Sequence, residues 1–208
     1  MLTLNNLSHL LRCFILFTLI TLICACVHVS PSTHGPLNES LSRKDRIKQL
    51  NSIKNLQIQG AIAIKMQDQA QSAYFNWQKK SNGCYQLILF GPLGMQSVHI
   101  QGCPGSVTLT NTQHQIFKAR TPEGLILEQT GLFLPVSNLN DWILGLAIPN
   151  KKAKQTLDSY NHLIKLEQNG FLINYLQYTQ HNGIDLPSKL LIKDETLTLK
   201  IIINQWKF

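Results

Sequence analysis

The stretch LQIQGAIAIKM, Leu56 to Met66, alternates from end to end. Leu56, Ile58, Gly60, Ile62, Ile64 and Met66 fall on one side of an extended chain, and Gln57, Gln59, Ala61, Ala63 and Lys65 fall on the other. Successive side chains of a strand point to opposite faces, so this pattern predicts a long strand with one face on a core and one toward water.

Downstream, strand-like runs recur at 70–79, 85–90, 96–102, 106–112 and 115–119, punctuated by Asn82-Gly83 and Pro104-Gly105. Spacing this short implies antiparallel hairpins. Period two returns at 163–168, 171–179, 187–193 and 196–206. Three helices accompany the strands, one ahead of them and two in the middle. Ser42 can cap one that runs to about Asn55, and Thr121-Pro122-Glu123 opens a second that runs to about Gly131. Asn138–Leu146 forms the third, with Trp142, Ile143 and Leu146 on one side. Strands and helices do not alternate, so the expected class is α+β. An antiparallel sheet of ten or eleven strands must curl, and helices over its opening complete the arrangement.

Upstream, CFILFTLITLICA (Cys13–Ala25) is uncharged and follows Arg12. That is the basic flank and short apolar core of an export signal, short of the roughly 20 residues that span a bilayer. Its end, Ile23-Cys24-Ala25-Cys26, resembles the lipobox of bacterial lipoproteins. The resemblance implies cleavage before Cys26 and acylation of its thiol and new amino group. Val27 is not the aspartate that marks retention in the inner membrane, so the outer membrane is the expected destination. Residues 27–40 are rich in Ser, Pro, Gly and Asn with no apolar period. The expected organisation is a signal peptide at 1–25, an acylated cysteine with a flexible linker at 26–41, and one domain at 42–208.

The chain carries 19 Lys+Arg against 11 Asp+Glu, a surplus that suits nucleic acid, anionic lipid or an acidic partner. A periplasmic address removes nucleic acid. The basic clusters Arg43–Lys48 and Lys151–Lys154 then read as solvated faces, or as contacts to phospholipid. His9, His28, His34, His99, His114, His162 and His181 have no metal-ligand spacing, so neither a metal nor a cofactor is expected. No Gly-x-Ser-x-Gly elbow and no phosphate loop occurs, which argues against a hydrolase or a nucleotide-driven machine.

Between two of the strands stands FGPLGM (Phe90–Met95), which holds Leu93 out at a turn between Pro92 and Gly94. Cys84 and Cys103 are equidistant from the middle of that turn. They face each other if the hairpin centres between Leu93 and Gly94, close enough for a disulfide. A register slip of one residue leaves two reduced thiols instead.

LQIQGAIAI (Leu56–Ile64), YFNWQ (Tyr74–Gln78), YQLILFGPLG (Tyr85–Gly94), DWILGL (Asp141–Leu146) and Trp206, in this order, resemble the LolB family of outer-membrane lipoprotein receptors. The resemblance implies an incomplete antiparallel barrel of about eleven strands with a helical lid over an apolar cavity. It implies that the cavity takes the acyl chains of lipoproteins from a soluble LolA-like periplasmic carrier and places them in the inner leaflet of the outer membrane. It also implies that Leu93, held by Pro92 and Gly94, protrudes into outer-membrane phospholipid.

The expected cavity residues are Ile62, Ile64, Phe75, Trp77, Leu87 and Leu89 from the strands, with Leu132 and Trp142 from the lid. A monomer with no enzymatic activity is expected. The other reading is an outer-membrane lipoprotein that binds a partner in envelope assembly without transferring cargo. Two features depart from the family pattern: the cysteine pair, and Ala147-Ile148 between Leu146 and Pro149, where relatives run straight to proline.

Overall fold

In the computed structural model, residues 35–66, 69–91, 97–130 and 133–208 are described. Cys26, Pro92, Leu93, Gly94 and Leu132 lie outside them, as does the whole signal segment.

Among the described residues the chain folds into one eleven-stranded antiparallel sheet, ordered β6-β5-β4-β3-β2-β1-β11-β10-β9-β8-β7. Its strands are β1 Leu56–Met66, β2 Gln69–Lys79, β3 Tyr85–Phe90, β4 Val98–Cys103, β5 Ser106–Thr110, β6 Ile116–Ala119, β7 Ala153–Leu157, β8 Leu163–Gln168, β9 Phe171–His181, β10 Ile184–Lys193 and β11 Leu197–Lys207. The edges β6 and β7 do not pair, so the sheet stays open. The connection from β6 to β7 carries α2 (Pro122–Thr130) and α3 (Val136–Trp142), while α1 (Arg43–Asn51) precedes β1.

The long opening strand lies at the centre of the sheet, paired with β2 on one side and β11 on the other. A bulge at Gln59/Gly60 brings the β11 backbone against Gly60, where a Cβ would run into the Ile202 carbonyl oxygen. Only glycine permits that approach. Gly60→Ala is expected to lower stability by about 2–4 kcal/mol, read as a fall in the urea midpoint with an unchanged slope.

β7 was not expected. AKQTL has no apolar alternation, and its first four residues are exposed, so its strand character comes from pairing with β8. β10 begins at Ile184 rather than Pro187, and the proline is accommodated where the β9–β10 register shifts. The last helix covers Val136–Trp142 rather than 138–146; after it the chain turns, with Gly145 N–H donating to the Trp142 carbonyl at 3.0 Å. The caps follow the sequence: Ser42 Oγ accepts from Asp45 N–H at 3.1 Å, and Thr121 Oγ1 accepts from Gly124 N–H at 3.2 Å.

The expected linker at 26–41 needs correcting at its end. Leu37 and Asn38 N–H donate to the Asp185 carboxylate at 2.7 and 3.1 Å, and the Leu41 carbonyl accepts from Asn161 Nδ2 at 2.7 Å. Residues 37–41 are therefore tied to the sheet and are not a free linker. Arg46 also departs from the expected solvated face: it is 2% exposed and donates to the carbonyls of Glu39 and Tyr160, each at 3.0 Å. Lys151, Lys152 and Lys154 are exposed as expected.

Candidate functional site

The inward faces of the strands build two apolar clusters. The larger joins β1, β2 and β8–β11 to α1 and α3; the smaller joins β4 and β5 to Leu125, Ile126 and Val136 of the helical cover. Between the two lies an apolar cavity of about 270 Å³. Ile62, Ile64, Phe75, Trp77, Leu87 and Leu89, the strand residues expected from alternation, all line it. Ile100, Leu109, Leu199 and Ile201 line it too, and these occupy inward positions of strands that the same alternation could have supplied.

The cover contributes Ile126 from α2, then Val136, Leu139 and Ile143 along α3 and just past its end. Those last three follow one another at steps of three and four, so they form one stripe of the helix. Trp142 lies on its flank, and its assignment to the cavity needs correcting. Its side chain is fully buried, tilted against Phe171 at 5.5 Å, with Nε1–H donating to Gln168 Oε1 at 3.0 Å. Trp142 fastens the cover to the sheet instead of facing the void.

Gln168 is the other half of that fastening. Its Oε1 also accepts from Ile148 N–H at 2.9 Å while its Nε2–H donates to the Ile148 carbonyl at 3.1 Å, so the buried amide is paired with backbone on both sides. The Ala147-Ile148 insertion thus leaves α3 along a fixed path. Tyr175 adds a hydroxyl bond to the Trp142 carbonyl at 2.9 Å.

Gln71 and Ser72, both exposed, stand at one end of the cavity, on the side of the β3–β4 connection. At the far end Trp77 and Tyr85 meet edge to face at 6.5 Å. Burial, with a contribution from Glu123, pushes the Tyr85 hydroxyl up to about 12, so it stays protonated. Just beyond, Cys84 and Cys103 are joined by a disulfide with a Cα–Cα distance of 4.1 Å. The β3–β4 register, with Tyr85 opposite Gly102 and Leu87 opposite Ile100, is the one that sets the cysteines face to face.

Apart from Gln71 and Ser72 at the exposed end, the groups that meet in the cavity are hydrocarbon and aromatic, which suits an apolar guest.

The family model described as "Outer membrane lipoprotein LolB" matches residues 54–206. Among curated proteins, the chain is 34% identical to the outer-membrane lipoprotein LolB of Ectopseudomonas mendocina over 200 residues, covering 95% of this chain and 97% of that one. It is also 34% identical to the protein of the same name from Pseudomonas putida strain GB-1, over 95% and 96% of the two chains. Among solved structures, a LolA superfamily protein of Nitrosomonas europaea superposes with a TM-score of 0.52 at 9% identity, over 81% of this chain and 94% of that one. A DUF1329 family protein of Desulfovibrio piger gives 0.55 at 7% identity, over 80% and 91%. At such identities the structural likeness concerns the fold alone.

Proposed function

Since the chain belongs to the LolB family of outer-membrane lipoproteins, we propose that it takes acylated lipoproteins from a LolA-like periplasmic carrier into the cavity and releases them into the inner leaflet of the outer membrane. Its place in the cell is the outer membrane, and its process is lipoprotein localisation. The observation that carries the transfer reading is the apolar void beneath α2 and α3.

A chain of about 16 carbons exposed to water costs on the order of 12 kcal/mol at about 0.8 kcal/mol per methylene. Passing it directly between two apolar cavities cancels most of that cost. Only the difference between the cavities sets direction, at about 1.4 kcal/mol per tenfold bias. The protein then acts as a receptor and not as an enzyme: no bond is made or broken and no nucleotide is consumed. The void of about 270 Å³ is just below the range of about 300–1,000 Å³ usual for small-molecule pockets. Loading therefore requires the cover to part from the sheet, and the small cluster around Ile126 and Val136 is where it can do so at least cost.

In this reading Cys26 carries the anchor. Leu93, set between Pro92 and Gly94, touches phospholipid, and one monomer handles one cargo. Mixing the reconstituted protein with carrier-bound lipoprotein tests it. Cargo should leave the carrier in one-to-one amounts and appear in the vesicles. A binding module of envelope assembly would leave the cargo on its carrier, and release of free fatty acid would point to hydrolysis; either result rejects the proposal.

A further inference from the structure

The cavity ends at one level. On β2 to β5 its last lining row is Trp77, Leu87, Ile100 and Leu109, which pair with one another across the sheet. The next inward row, Tyr85, Gly102 and Val107, also pairs strand to strand and lies directly beyond that lining. Gly102 is the gap in that row: a Cβ there would meet the Tyr85 ring, so the ring lies directly over the glycine backbone. Trp77 stands against the ring at 71°.

Two more observations single out this plate. The Tyr85 hydroxyl and the Trp77 Nε1 are buried without a hydrogen-bond partner among the described residues, so these rings are held for their shape and stiffness rather than for a polar contact. The disulfide joins the residues next to Tyr85 and Gly102, which fixes the strand pair bearing the plate.

We propose that Tyr85, lying across Gly102, is the floor of the cavity and sets the longest acyl chain the protein accommodates. The inference rests on the transfer reading above. From Gln71 at the exposed end to Trp77 is six residues of β2, which at about 3.3 Å each gives about 20 Å. A zigzag of about 1.5 Å bonds advances about 1.3 Å per carbon, so the depth matches a chain of about 16 carbons.

The test uses the full chain in phosphatidylethanolamine vesicles, offered carrier-bound lipoprotein bearing a myristoyl, palmitoyl, stearoyl or arachidoyl chain. Chains that fit should pass with similar uptake, since the carrier gives up what the cavity gains, and each methylene beyond the floor should lower uptake about fourfold. Tyr85→Ala should move that break by about five carbons, the depth of one strand row, so that stearoyl and arachidoyl chains both pass. Tyr85→Phe should leave the break in place, and Gly102→Ala, by pushing the ring into the void, should move it to shorter chains. Tyr85→Leu replaces Tyr85→Ala if the latter does not fold, with a smaller shift in the same direction. A break that stays where it is when the ring is removed overturns the floor, while failure to take up any chain overturns the transfer reading itself.

Discussion

Leu93→Glu is expected to fold like the parent protein, to accept cargo from the carrier, and to fail at release into vesicles. The hairpin that bears residue 93 does not depend on its tip. β3 and β4 are held by continuous pairing from Tyr85/Gly102 to Leu89/Val98, and by the Cys84–Cys103 disulfide at the other end. Removing an apolar side chain from the connection therefore leaves both strands in place. In lipid, a leucine contributes roughly 1.5–3 kcal/mol, which a carboxylate reverses. Tyr74 and Phe90, stacked at 5.8 Å where β3 ends, put aromatic surface beside that connection, and Tyr74 is 48% exposed. Fluorescent cargo separates the steps: uptake should match the parent while insertion falls at least tenfold. Normal insertion by the variant would remove Leu93 from the mechanism.

Asp185→Ala should produce the largest loss of stability, about 3–5 kcal/mol, because it strips the partner from a buried guanidinium and from buried backbone donors at once. Asp185 is 3% exposed and Arg46 2%, with Nη1 and Oδ2 3.9 Å apart. His162, 1% exposed, sits between two carboxylates: Nε2 lies 3.0 Å from Asp185 Oδ2 and Nδ1 lies 2.8 Å from Asp158 Oδ2. Tyr178 stacks on the imidazole at 4.6 Å. The same aspartate holds the backbone of Leu37 and Asn38, so the variant should also free the segment ahead of α1 to amide exchange. Urea denaturation measures the first effect and hydrogen exchange the second; a loss below about 1 kcal/mol would mean the network is not a unit.

This cluster also gives the protein an acid limit. Burial raises the Asp158 carboxyl, but hydrogen bonds from the His162 side chain and backbone outweigh it and hold it below its ordinary value of 3.8. A depressed carboxylate stabilises the fold above its unfolded value, and that contribution fades as pH falls through the folded one. Stability should thus drop below about pH 4, and Asp158→Asn should flatten that part of the profile.

Much of this was readable along the chain because strand alternation is local. The period-two pattern of Leu56–Met66 fixes which side chains share a face, and Ile62 and Ile64 from it line the cavity together with Phe75, Trp77, Leu87 and Leu89 of the next two strands. The symmetry of Cys84 and Cys103 about the turn left two registers open, and the β3–β4 pairing takes the one that joins them. Helical spacing says less: Trp142 lies on the buried side of α3, but which part of that side faces the void depends on how the helix is rolled on the sheet. β7 could not be seen at all, since it owes its shape to β8 and not to its own residues.

By itself, then, the order of residues determined the strands with alternating faces, two helix starts with their caps, and a family likeness spread over several short segments. Tertiary structure alone decided that Arg46 turns inward to Asp185, that Leu37 and Asn38 are bound to the same aspartate, and that the Tyr85 ring lies over Gly102. The reason is range. Alternation and capping are set by neighbours a few residues away, whereas these three features join residues brought together only when distant strands pair.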